Sequence, residues 1–425
     1  MTINRNRRQA ANKLTATVLL LLAMTGYSGH VTAGGDSPGA SMFSFSGFGT
    51  LGAVHSNEHH ADFTTVLKPN GAGYSHEWST DVDSRIAGQI NARFTTQLSA
   101  MVQVISEQLA DNTYKPHVEW ANLKYQPTPQ ISLRAGRIVL PAFLISDSRR
   151  VGYANPWVRP PEEIYSLSPV NNSDGVDASY RLLVGSFVHS VSVSYGKSDV
   201  QVPGGVTADL RGLWAITERV EYGDAIAHVS FTQARFTLHQ NSLDTLFDAF
   251  RQFGPQGSAL ADKYAVHDKL VRFIALGAMY DPGRWFVMAE WGNRELNSVF
   301  GRSSAWYASG GYRVAQLTPY LTYAEVSANS KTSDPGLTVS ALPAFLAGPA
   351  TALNAGLNAA LGAIVIQRTV SVGVRWDFAR SIDFKLQYDY TRVGAGSPGP
   401  LTNSQPGFQP GGSVSLFSAV IDFVL

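Results

Sequence analysis

A chain of 425 residues ordinarily divides into two or three soluble domains, although one closed β architecture can absorb that length. It contains no cysteine, which excludes disulfides, thiolate metal sites, cysteine nucleophiles and a lipid anchor on cysteine. A formal charge of +1 argues against a nucleic-acid binder, and a mean hydropathy of -0.05 says only that apolar and polar residues are mixed.

The chain opens with Arg5, Arg7, Arg8 and Lys13, continues with the apolar run Leu14 to Met24, and then offers Val31-Thr32-Ala33. Positive, apolar and small-residue regions in that order predict a secretory leader over residues 1–33. The apolar run is too short for a membrane-spanning helix. Cleavage after Ala33 removes four cations and no acid, leaving residues 34–425 as a slightly acidic mature domain.

That domain reads as strands. Ile382, Phe384, Leu386, Tyr388 and Tyr390 alternate with Asp383, Lys385, Gln387 and Asp389, a period of two with one apolar and one charged face. Val370, Val372, Val374, Trp376 and Phe378 alternate in the same way just before, with a three-residue turn between. Runs of this kind fall at 43–55, 84–95, 98–108, 116–126, 130–138, 174–183, 187–197 and 210–219. Further runs fall at 225–238, 269–280, 284–295, 303–313, 317–327, 368–378, 382–392 and 413–425, which makes sixteen. Short links alternate with long ones at every step, so turns gather at one end and long loops at the other. The pattern predicts an all-β fold, a sixteen-stranded antiparallel transmembrane β-barrel with long external loops.

Two long links carry apolar helices. Ser242 is placed to cap a helix bearing Leu243, Leu246, Phe247 and Phe250, ended by Gly254-Pro255. The uncharged stretch 336–366 holds Pro343 and Pro349, so it reads as a long external loop containing a short helix, with Leu353, Leu357 and Leu361 on one stripe. The link 139–173 is different. Pro141, Pro156, Pro160, Pro161 and Pro169 forbid a regular element, yet Phe143, Trp157 and Tyr165 are suited to burial. A structureless loop of this length is usually functional, and it is expected to fold into the lumen and narrow it.

The opening FSFSGFGTLGAV, the strand count, the long loop after the fifth strand and a last strand alternating through Phe417, Ala419, Ile421, Phe423 and Leu425 together resemble Gram-negative outer-membrane porins. The resemblance spans the mature chain, although family members usually end in Phe where this chain ends in Leu425. It implies a cell outer-membrane location, a homotrimer, and passive passage of small hydrophilic solutes through a constriction made by the third external loop. It also implies a basic wall ladder facing acids on that loop.

By alternation, Arg85, Gln89, Arg93, Glu107, Arg134, Asp177, Arg181 and Arg375 face the lumen, and Asp147, Arg149, Arg150, Arg159, Glu162 and Glu163 ride on the loop. Each could instead solvate the interior or pin the loop through an ion pair. Arginines outnumber acids on the wall, which leans towards anions. Outward Gly47, Gly49, Ala53 and Gly88 mark either a subunit interface or barrel bends. Outward Trp285, Trp291, Trp376, Tyr388 and Tyr390 suit an interfacial girdle better than a sugar track. His55, Glu58, His59, His60 and Asp62 lack standard ligand spacing, so neither metal nor cofactor is expected. A barrel enzyme would need a Ser–His pair; His189 adjoins Ser190, but strand neighbours face opposite sides. Two alternatives stay open: a channel selective for small carboxylates, and a barrel occluded by its own loops.

Overall fold

The computed structural model describes residues 41–65 and 68–425, so the expected leader lies outside the described residues. Sixteen long strands are described. They are β1 Phe43–Ser56, β2 Arg85–Arg93, β3 Leu98–Glu107, β4 His117–Tyr125, β5 Ile131–Val139, β6 Asn172–Val184, β7 Phe187–Val202 and β8 Val206–Tyr222. The second half adds β9 Ala225–His239, β10 Lys269–Tyr280, β11 Trp285–Leu296, β12 Ser303–Tyr312, β13 Leu317–Ala328, β14 Gln367–Ala379, β15 Ile382–Val393 and β16 Gly412–Val424. Each pairs antiparallel with the next, and β16 returns to β1 through pairs such as Leu51↔Ile421, so the sheet closes.

The period-two pattern decides which side chains meet which solvent. On β15, Tyr388 and Tyr390 are exposed outward while Asp383, Lys385, Gln387 and Asp389 are buried inward. Leu51, Ile86, Leu123, Val193, Leu276 and Leu321 continue the exposed apolar band round the barrel. Trp285, Trp291 and Trp376 stand on the same surface, and Tyr280 meets Trp285 at 5.3 Å, as a girdle requires. Exposed apolar surface on this scale is stable only in lipid. Among the described residues no helix is long and apolar enough to cross a membrane.

Three expectations need correction. The long link expected at 198–209 is mostly strand: β7 and β8 run on past bulges at Gly196/Ser198 and Arg211/Trp214 to a tight turn at 203–205. Gly204 and Gly205 take φ values of +83° and +76°, which a side chain would resist. The loop-length alternation therefore fails once. The helix expected near 243–252 is a hairpin of α2 Asn241–Arg251 and α3 Gly254–Tyr264; Pro255 starts the second helix rather than ending the first. At Gly49 the outward face is covered by the chain itself, since a Cβ there would lie 2.4 Å from the ring of its outward cross-strand neighbour Phe423.

In the stretch 336–366, α4 spans Ala344–Gly362, longer than the short helix expected. Its Leu357 and Leu361 pack with Phe247, Phe250 and Tyr264 of the hairpin and with Leu238 of β9. The three helices thus cap the long-loop end of the barrel. Opposite them, Asp62–Phe63 pairs with Ala72–Gly73 and with Leu401–Thr402, tying the first long loop to the last.

Candidate functional site in the barrel lumen

The link after β5 does fold inward. Apart from α1, Glu162–Tyr165, and a single 3-10 turn at Gly152–Ala154, it has no regular element, as its prolines dictate. Its apolar side chains face one side of the barrel. Phe143 meets Phe273 of β10 at 5.1 Å, and Trp157 meets Tyr307 of β12 edge-on at 5.6 Å. Inward Phe273, Ala275, Phe286, Met288, Ala305 and Tyr320 complete a core that a wide aqueous barrel would lack. The polar ends are satisfied there too: Trp157 Nε1 donates to Ser309 and Thr322, both at 2.9 Å, and Tyr165 donates to Glu290 at 3.0 Å.

Across β14–β16 and β1 the loop is held by charge. Arg159 donates to Asp83 at 3.0 and 2.6 Å, to Asp389 at 3.2 Å and to Ser418 at 2.8 Å. Lys385 is fully buried; it donates to the Gly152 carbonyl at 2.7 Å and to Asp422 at 2.8 Å. Asp422 also accepts from Thr50. Arg375 donates to the carbonyls of Tyr153 at 2.6 Å and Asn155 at 3.2 Å, and pairs with Asp383 at 3.0 Å. Glu163 accepts from Gln367 at 2.7 Å and from Thr369. Buried pairs of this kind add little net stability over an apolar contact, but losing one partner is costly, so they fix position.

On a third side Arg150 pairs with Glu107, and with Glu119 at 3.3 Å, while Arg85 stands 4.0 Å from Glu107. Arg149 turns back into the loop, donating to the Tyr165 carbonyl at 3.0 Å and lying over the Phe143 and Tyr165 rings. Glu162 is half-buried near Arg149 and Arg159. Asp147 is exposed, within electrostatic range of Arg134, Arg219 and Asp177. Arg134 pairs with Asp177 at 2.6 Å; Arg181 is half-buried on the same face of β6; Arg93 is exposed at the short-turn end of β2.

Of the residues singled out in the sequence, Arg150, Arg159, Glu163 and Arg375 bond loop to wall, and Glu107 receives Arg150. Arg134, Asp147 and Asp177 form a separate cluster, and Arg93 joins neither. The wall partners Asp83, Asp383, Lys385, Asp389, Asp422 and Glu290 were missed. The signal was present, since alternation faces Lys385, Asp389 and Asp422 inward, but nothing local says which wall charge the loop will reach.

Other candidates resolve simply. Asp62 is engaged by Ser75 and by Asn403 at 2.7 Å, and Glu58 accepts the backbone N–H groups of His59 and His60. His189 bonds Glu218 at 2.8 Å, whereas Ser192 bonds Thr217, so strand alternation separates that histidine from its neighbouring serines.

No protein-family model matches the chain, and no curated protein matches it in sequence. In structure it is similar to OmpF of Salmonella typhi, solved with daunomycin, at a TM-score of 0.54 and 10% identity over 90% of this chain and 97% of that one. It is similar to the outer-membrane channel DcaP of Acinetobacter baumannii at 0.53 and 13% identity, over 92% and 100%. It is similar to an anion-selective porin from Comamonas acidovorans at 0.50 and 11% identity, over 90% and 99%. At such identities the likeness is one of fold: the chain is a sixteen-stranded barrel of the outer-membrane porin type.

Proposed function

We propose that this protein is an outer-membrane diffusion channel, passing small hydrophilic solutes and ions down their gradients through a charge-lined lumen. The observation that carries the reading is a lipid-facing barrel whose third long loop crosses the lumen and is fixed to the wall on several sides. A narrow place held by charged side chains filters by size and charge, and needs neither a cofactor nor a bound metal. Along β4–β8 the inward Lys124, Arg134, Arg181 and Arg219 outnumber Asp177 and Glu221, which supports a preference for anions; small carboxylates are the solutes that guanidinium groups fit best. Outward Phe45, Leu51, Ile86 and Ile90, with open space over Gly88, support a homotrimer joined along β1 and β2.

The test is single-channel recording of the purified protein in a planar bilayer under a salt gradient. Stepwise ohmic conductance with a reversal potential of anionic sign is the expected result. A second reading has its own support: Asp383, Lys385 and Asp422 are wholly buried by the loop, as in an occluded barrel. Correctly inserted protein that passes no current would establish that reading instead.

A further inference from the structure

The bonds that tie the loop to the wall end on β3, β4, β9, β11–β16 and on Asp83 just before β2. The sector between, β5–β8, differs in kind. Of its inward side chains, Ser132, Arg134, Ser179, Arg181, Ser192 and Arg219 keep part of their surface open, although Asp177, Ser194 and Thr217 are buried and Leu213 and Ala215 join the apolar core; across the lumen Ser418 and Asp422 are fully covered. The strand register arranges this sector in rungs. Lys124, Arg134 and Asp177 are successive cross-strand partners on β4, β5 and β6. One step nearer the short turns, Ser132, Ser179, Ser192 and Thr217 form a belt of hydroxyls. A further step brings Arg181, Ser190, Arg219 and His228 into line. A hydroxyl belt therefore lies between two basic rungs.

Two further observations concern what this wall faces. Asp147, the exposed acid of the loop, lies within electrostatic range of Arg134, Asp177 and Arg219. His228, 8% exposed and pointing inward, has no hydrogen-bond partner for Nε2 among the described residues, so it needs water or a solute.

We propose that solutes pass along one side of the barrel, between the Ser146–Arg150 arm of the loop and the β5–β8 wall, and that Arg134, Arg219 and Asp147 set its selectivity. Arg150, Arg159, Glu163 and Arg375, on this assignment, position the loop and do not meet the solute. The lane carries four wall cations, Lys124, Arg134, Arg181 and Arg219, against the carboxylates of Asp147, Asp177 and Glu221. That near-balance favours singly charged anions over phosphates, which Asp147 and Asp177 repel more strongly. The serine belt offers hydrogen bonds between the two basic rungs, so a small hydroxylated carboxylate is the class it fits.

The inference rests on the channel reading above, and one experiment separates the two. The chain has no cysteine, so single thiols can be placed without background. Ser179→Cys and Ser192→Cys put one in the lane; Ser371→Cys and Thr391→Cys put one on the covered wall. Each channel, open in a bilayer, is treated with a negatively charged methanethiosulfonate, which forms a mixed disulfide and releases methanesulfinate. The lane thiols are expected to react, cutting current about two-fold or more and moving the reversal potential towards cations, with the covered thiols unaffected. Mass analysis after treatment counts the reacted thiols. Unreacted lane thiols, or a block at Ser371→Cys as deep as at Ser192→Cys, would overturn the lane while the channel stands. As a second variant, Asp147→Asn is expected to raise anion preference. An unshifted Asp147→Asn also counts against the lane. Absence of current in the unsubstituted protein would remove both readings.

Discussion

At Gly152 the loop touches the wall with no room to spare. A Cβ there would lie 2.0 Å from Asp422 Oδ1 and 2.7 Å from Thr50 Oγ1, atoms held by a buried lysine and a neighbouring strand. Gly152→Ala is therefore expected to unseat the loop and change unit conductance by about two-fold or more, read by bilayer recording beside thermal unfolding of the intact barrel. Lys68, in the first long loop, offers a pH readout. Burial draws its ammonium down to about 8 from its ordinary value of 10.5, although Glu107 pulls the other way. Its folded value lies below its unfolded one, so between about pH 8 and 10.5 the unfolded loop binds more protons and stability rises with pH. Urea midpoints measured across that window are expected to climb, and the slope to flatten in Lys68→Met. Neither contact was legible in the sequence. Alternation gives a side chain its face, but only the folded loop decides which face it meets.

At the scale of elements, what reads well from sequence is whatever repeats. Strands β10–β16 show the alternation with few interruptions, and their expected bounds agree with the structure to within a few residues. The misplaced elements carry competing local signals. Gly204 and Gly205 advertised a loop where two strands merely turn, and Pro255 suggested a stop where it opens α3. The helical cap forms because α2 and α3, at 11 residues each, are too short to be stable alone, and α4 is apolar on most of its surface. Leu357 is fully buried among them, so Leu357→Ala is expected to cost about 2–5 kcal/mol of cap stability. Limited proteolysis should then cut the 329–366 loop at lower urea than unfolds the barrel.

At the scale of the molecule, composition, alternation and turn spacing suffice for a closed barrel, because only a closed sheet satisfies every strand in lipid. The lumen is harder to foresee: the same inward residue can meet water or a covering loop. Lipid exposure itself is testable. Leu321, on β13, is 56% exposed on the outer surface, and Leu321→Arg is expected to destabilise the barrel by about 2–4 kcal/mol if that position lies near the bilayer midplane. Urea titration in vesicles reads the loss; an unchanged midpoint would argue that this face meets something other than lipid.

The loop's attachment also bears on the order of assembly. Its tethers Lys385, Asp389, Ser418 and Asp422 stand on the last two strands to be synthesised, more than two hundred residues downstream of the loop. Contacts so distant in sequence form late, after the entropy of closing the intervening chain has been met. Until β15 and β16 are in place, Arg159 lacks Asp389 and Ser418, and the carbonyl of Gly152 lacks Lys385. Seam closure and seating of the loop are thereby coupled, and a nascent barrel would be at its leakiest just before its final strand arrives.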